Sequence, residues 1–172
     1  VMAAAAATLK HVTLELGGKS PIIIFEDADL EEAVNGVLLG NFYTQGEICS
    51  NGTRVFVHAA IREKFLEILV ERTKKLKVGD PADPTTHIGA LINKNHFDKV
   101  MGYIALGKEQ GAELIFGGKQ VNVPGCEGGY FVEPTIFASA QDEVRIVEEE
   151  IFGPVMSILT FSEEEDVLQR AN

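Results

Sequence analysis

PIIIFEDADLEEAVNGVLLGNFYTQGEICSNGTRVFV, residues 21–57, reads in three parts. Pro21–Phe25 is a short apolar run of strand length. Asp29 then stands before a stretch to about Asn41 in which Leu30, Ala33, Val34, Val37, Leu38 and Phe42 recur at intervals of three and four. That is the period of a helix with one buried face, and an aspartate in that position caps its free N–H groups. Gly36 and Gly40 weaken the helix and mark close packing. Thr44–Asn51 is a polar, glycine-containing break that holds Cys49, and Thr53–Val57 is a β-branched and aromatic strand.

The same alternation continues outward. Thr13–Leu16 reads as a strand before Gly17-Gly18, and Val1–Leu9, rich in alanine, as a helix. Ile61–Leu76 is predicted helical, with Phe65, Ile68, Leu69 and Leu76 on one face and lysines at its end, where the dipole is negative. Residues 79–84 form a turn-rich loop, and Lys94–Gly107 a further helix that continues to Gln110 and ends at Gly111. Glu113–Phe116, Tyr130–Val132, Thr135–Phe137 and Val155–Phe161 read as strands, with a glycine-rich, hairpin-like loop over 117–129. Strands alternating with helices predict an α/β fold: a mostly parallel sheet flanked by helices. Glu163–Asn172 has the pattern of an amphipathic helix, with acids at its start. The chain opens on Val1 and stops without a terminating Gly or Pro, so both ends are expected to be cut points.

Composition narrows the function. The 172 residues carry 15 Lys and Arg against 26 Asp and Glu, a formal charge of -11. A surface so acidic is unsuited to nucleic acid or to an anionic membrane. No apolar run approaches the roughly 18 residues that span a bilayer. The two cysteines, Cys49 and Cys126, form no CxxC or Cys/His spacing suited to zinc, so no metal is expected. Isolated thiols fit a reduced, cytoplasmic protein, and each is either core filler or a nucleophile.

Three segments stand out chemically. In LELGGK, 14–19, Glu15 precedes two glycines that let backbone approach a ligand closely. By itself this is equally a turn beside a solvated acid. In QGEICSNG, 45–52, Cys49 lies in a break between helix and strand, where loops hold reactive groups on a fixed scaffold; a lone cysteine is also common in cores. In EEEIFGP, 148–154, the three acids read as a solvated helix end, or as a carboxylate placed beside an aromatic ring.

Taken together and in this order, LELGGKSP at 14–21, QGEICSNGTR at 45–54 and EEIFGPV at 149–155 resemble the aldehyde dehydrogenase superfamily. The resemblance extends over essentially the whole chain, and three motifs in the right order make it specific. NGTRVFV at 51–57 and PVMSILTF at 154–161 are most similar to the branch acting on betaine aldehyde and 4-trimethylaminobutyraldehyde. The resemblance implies a cysteine-bearing catalytic domain over 17–172, cut short at its C-terminal end, with 1–16 as the tail of a dinucleotide-binding domain.

It also implies roles. Cys49 adds to the aldehyde carbon as a thiolate and forms a thiohemiacetal, hydride passes to NAD or NADP, and Glu15 activates the water that hydrolyses the resulting thioester. Glu150 accepts hydrogen bonds from the nicotinamide ribose, Phe152 packs near the ring, and the backbone at Leu16 and Gly17 faces the carboxamide. The Cys49 N–H contributes to the oxyanion site; Asn51 does not match the position of its partner donor and is given no role. The parent is expected to be a homo-oligomer, dimer or tetramer. The 172 residues alone are expected to bind NAD weakly and to be inactive. Lys19 is read as a structural ion-pair partner, and His11, His58, His87 and His96 as structural or exposed. Gly89-Ala90-Leu91 replaces the more usual Gly-Pro-Leu, which implies a looser turn. Two other classes compete: a cofactor-independent cysteine hydrolase or acyltransferase, which needs a histidine near Cys49, and a non-catalytic interaction domain.

Overall fold

Three parallel strands, side by side, set the architecture. β1 (Pro21–Ile24), β2 (Arg54–His58) and β7 (Val155–Phe161) are neighbours in a five-stranded sheet of order β1-β2-β7-β6-β3. β6 (Thr135–Ala138) continues it in parallel, and β3 (Glu113–Phe116) closes it antiparallel at the edge. The structure is a computed structural model that describes residues 1–138 and 141–172. The expected α/β class with a mostly parallel sheet is what forms, the one antiparallel pair in this sheet lying at its edge. The loop over 117–129 contributes β4 (Gln120–Val121), which pairs antiparallel with β5 (Phe131–Val132), as its hairpin character implied.

Alternation along the central strands explains why both faces are covered. On β2, Phe56 points to one face and Val55 and Val57 to the other; on β7, Val155, Leu159 and Phe161 oppose Met156 and Ile158. One face packs on α2 (Leu30–Phe42) and α3 (Arg62–Thr73) through Val34, Val37, Phe65 and Leu69. The other packs on α4 (Lys94–Glu109), α5 (Arg145–Glu148) and α6 (Glu164–Ala171) through Val100, Ile104, Ile146 and Val167. Each of these fully buried side chains contributes about 1.5–3 kcal/mol of transfer free energy if large. A strand buried on both faces reads as a continuous apolar run, which is why Val155–Phe161 was legible to the residue.

Local signals place the helices. Asp29 Oδ1 accepts from the N–H groups of Glu31 and Glu32 at 2.9 and 3.2 Å, a cap worth about 1 kcal/mol. At the end of α4, Gly111 N–H donates to Lys108 O and Ala112 N–H to Gly107 O, the paired bonds of a Schellman turn.

Two expectations fail near the N-terminus. Thr13–Leu16 is not a strand: residues 10–20 form no regular element, and Thr13, Leu14, Glu15 and Leu16 are all exposed. β-branched and apolar residues make a strand only where an edge pairs with them, and no described strand does so here. The helix expected over Val1–Leu9 shrinks to α1 (Met2–Ala6), whose residues bury nothing. Five residues without a packed face are too few to sustain more. No described helix is long and apolar enough to cross a membrane.

Candidate active site

The three singled-out segments share a structural position: each ends just before one of three adjacent parallel strands. LGGKS leads into β1, CSNGT into β2 and EIFGP into β7. Pro21 is in register with Arg54, and Arg54 with Ser157. Parallel strands carry their preceding loops to one edge of the sheet, so motifs more than 130 residues apart in sequence meet there. Open α/β sheets usually bind ligands beyond the carboxyl ends of their strands; here the motifs gather at the amino ends.

Interlocking glycines bring the segments to backbone contact. A Cβ on Gly18 would lie 2.4 Å from the Cys49 carbonyl oxygen, one on Gly17 2.5 Å from Glu150 Oε2, and one on Gly46 2.3 Å from the Gly153 carbonyl oxygen. Side-chain carbons do not approach backbone oxygens so closely, so Gly18 and Gly46 admit no other residue, whereas at Gly17 the flexible Glu150 side chain can shift. The Gly18 N–H also donates to Glu150 Oε1 at 3.1 Å. The segment before Cys49 is bent hard: Thr44, Gln45 and Gly46 have φ of 47°, 58° and 75°. Left-handed backbone costs a non-glycine residue about 1–2 kcal/mol, so neighbours must hold it. Gln45 Oε1 accepts from the Gly89 N–H at 3.0 Å, which ties this bend to the 89–91 turn.

Between these segments opens a cleft of about 560 Å³ lined by Glu15, Leu16, Gly17, Glu47, Ile48, Cys49, His96, Lys99, Glu150 and Phe152. All six residues singled out from the sequence, Cys49, Glu15, Glu150, Phe152, Leu16 and Gly17, thus face one cavity. Cys49 is an exposed free thiol, and Glu15 is exposed as well. Phe152 sits at φ 62°, a strained conformation for a bulky residue, of the kind that collects at working sites. The run of acids at 148–150 divides three ways. Glu148 is solvated, and Glu150 turns into the cleft. Glu149 is held by Arg145 at 2.8 and 2.9 Å and by the Tyr103 hydroxyl at 2.6 Å. The Arg145 guanidinium, with Tyr103, lowers the Glu149 carboxyl to about 2.

Four lining residues escaped the sequence reading. His96, expected to be structural or exposed, makes structural contacts and stands at the site itself. Its Nε2 is 2.6 Å from the Phe152 carbonyl oxygen and 3.2 Å from Glu47 Oε1. The bend that carries it, the first turn of α4, is distant in sequence from all three motifs, so no local pattern marked it. Glu47 is raised above the usual carboxylate range by burial, against the pull of His96. Lys99 lies one turn further along α4, and Ile48 beside Cys49. Lys19 is a correction: no carboxylate stands within salt-bridge distance of it among the described residues. Burial, then the nearby Arg54, lowers its amine to about 8. Asn51 does not line the cleft; it is buried, and its Nδ2 has no partner. Cys126 lies in the outer loop, partly buried and unpaired.

The cleft also suits the nicotinamide end of a dinucleotide. Leu16 and Gly17 are exposed residues on its lining, Glu150 offers a carboxylate that can accept from hydroxyls, and Phe152 an aromatic wall. A histidine near Cys49 removes one objection to the cysteine-hydrolase alternative, but the contacts that His96 makes are to Phe152 and Glu47.

Comparison with known proteins gives consistent results. A family model described as the aldehyde dehydrogenase family matches residues 1–172. Betaine aldehyde dehydrogenase of Brucella anthropi is 57% identical over 172 residues, 100% of this chain and 35% of the relative; that of Mesorhizobium japonicum is 55% identical over the same shares. Among solved structures, aldehyde dehydrogenase from Bacillus cereus in its NAD+ complex superposes with a TM-score of 0.91 at 47% identity, covering 99% of this chain and 34% of the other. Betaine aldehyde dehydrogenase from Staphylococcus aureus, in complex with NAD+, gives 0.92 at 40% identity, with coverage of 99% and 34%. The chain therefore spans 35% of the length of the curated relatives it matches.

Proposed function

The chain belongs to the aldehyde dehydrogenase family, and on that premise we propose that its cleft serves the oxidation of an aldehyde to a carboxylic acid, with betaine aldehyde or a related amino-aldehyde as substrate. The observation that carries this reading is the convergence of Cys49, Glu15, Glu150 and Phe152 on one cavity. A nicotinamide dinucleotide, when bound, supplies the hydride acceptor. Identity of 57% and 55% to betaine aldehyde dehydrogenases supports the substrate, and the NAD+ in two solved relatives supports NAD over NADP.

Within this reading the residues divide the work. The Cys49 sulfur forms a bond to the aldehyde carbon, whose carbonyl electron pair moves onto oxygen, where the Cys49 N–H helps hold it. Loss of hydride from that carbon leaves a thioester on Cys49. Glu15 takes a proton from water as the water oxygen attacks the thioester; the C–S bond breaks, and acid and thiolate are released. Glu150 would bind the ribose beside the nicotinamide, Phe152 would pack by the ring, and the Leu16–Gly17 backbone would face its carboxamide. Residues 1–16 would belong with a dinucleotide-binding domain and 17–172 with the catalytic one. The unpaired thiols of Cys49 and Cys126 support a reducing, cytoplasmic setting. Exposed Leu39, Tyr43 and Ile92 are apolar surface of the kind that association covers, which supports a homo-oligomer.

The test is NADH formation with betaine aldehyde, 4-trimethylaminobutyraldehyde and acetaldehyde, using a full-length protein that carries this sequence and its Cys49→Ala variant. We expect turnover with the first two and none in the variant. Full activity of Cys49→Ala would overturn the mechanism, and inactivity on all three aldehydes the substrate. The 172 residues alone, 35% of the length of the relatives, should give negligible NADH, since most of the dinucleotide-binding domain that the family resemblance implies lies outside them.

A further inference from the structure

Nothing in the roles above accounts for His96. It stands on the first turn of α4, where Asn93 Oδ1 accepts from its N–H at 2.9 Å and fixes its backbone. From that anchored turn the imidazole reaches both loops that build the cleft. Its Nε2 lies 2.6 Å from the Phe152 carbonyl oxygen, on the turn before β7. The same nitrogen lies 3.2 Å from Glu47 Oε1, two residues before Cys49. Its ring also meets the Phe152 ring edge-on, at 6.2 Å between centroids and 65° between planes.

A carbonyl oxygen can only accept, so Nε2 carries the proton, whatever the state of Nδ1. The bond falls on a residue that needs it. Phe152 at φ 62° is held against its own preference, and a donor fixed to a helix turn opposes its relaxation. Glu47 stands partly buried against the same ring, within ion-pair distance of Nε2, and burial disfavours its charge. The imidazole therefore bridges the loop of Cys49, which it meets at Glu47, and the turn bearing Glu150 and Phe152, to which it is hydrogen-bonded.

We propose that His96 is a positioning residue: its Nε2–H holds the Phe152 carbonyl while the ring packs against Glu47, and so fixes Cys49 relative to Phe152. The inference rests on the proposed function, in which Cys49 must attack an aldehyde held beside the nicotinamide. A misplacement of about 1 Å in such an arrangement can cost on the order of a hundredfold in rate.

The test compares His96→Phe and His96→Gln with wild type and Cys49→Ala, in a full-length protein, with betaine aldehyde and NAD+ as probes. His96→Phe keeps the aromatic edge but has no donor; His96→Gln restores an N–H at similar reach. We expect His96→Phe to lose about tenfold to a hundredfold in kcat, with KM changed less and thermal stability nearly kept. His96→Gln should recover most of the lost kcat. Equal losses in both variants, or wild-type kcat in His96→Phe, would overturn the proposal. So would an effect confined to the KM for NAD+, which would make His96 a cofactor contact only. Activity in Cys49→Ala would instead sink the function on which the inference rests.

Discussion

The cleft has two walls of unequal support. Cys49, Glu150 and Phe152 stand on loops that run directly into β2 and β7, strands whose Phe56, Val155, Ile158 and Leu159 are almost wholly buried. Glu15, Leu16 and Gly17 stand on an exposed stretch without regular structure, and join the rest at Gly17 and Gly18. The proposed nucleophile thus belongs to the rigid body and the proposed base to an arm. The two contributions ask for different things: the nucleophile must be held in place, and a base that acts after acyl transfer can tolerate mobility.

Glycine substitutions should separate the walls. Gly46→Ala puts a Cβ 2.3 Å from a backbone oxygen between two parts of the body, at φ 75°, and neither side can yield. We expect it to cost about 1–3 kcal/mol in denaturant unfolding. Gly18→Ala creates a clash of the same size with the Cys49 carbonyl, but here the arm can retreat. Its stability should change by no more than about 0.5 kcal/mol, while kcat falls by on the order of a hundredfold as Glu15 leaves the cleft. Similar stability losses in the two variants would erase the distinction.

A smaller effect lies at the joint itself. Burial lowers Lys19 to about 8 from 10.5. Between those values the unfolded chain binds the extra proton, so this group makes stability rise with pH from about 8 and its penalty vanish above 10.5. Lys19→Met should therefore be slightly more stable than wild type at pH 7, with the difference closing as pH approaches 10.5. A difference that widens over that range would contradict the burial of a charged amine.

Much of this was legible in the sequence, for reasons that can be named. Val155–Phe161 and Leu30–Phe42 announce themselves because burial on two faces, or on one helical face with an aspartate cap, leaves a local pattern. The glycines of LELGGK and QGEICSNG were conspicuous because close backbone approach admits no other residue. The order of the strands was not legible, and it is the order that sets β1, β2 and β7 side by side and gathers the motifs at their amino ends. His96 was missed for the same reason: its partners, Glu47 and Phe152, lie about 50 residues away on either side. Thr13–Leu16 misled because strand composition says nothing about whether a pairing edge exists.

The most direct test of the central claim, a thiol acylated at Cys49 and released by water activated at Glu15, is to trap the intermediate. A full-length Glu15→Gln protein would be mixed with betaine aldehyde and NAD+, quenched in acid, digested and weighed by mass spectrometry. The account predicts the acyl group on the peptide holding Cys49, accumulating in Glu15→Gln and scarce in wild type. An adduct on any other residue, or wild-type turnover by Glu15→Gln with no adduct, would contradict it.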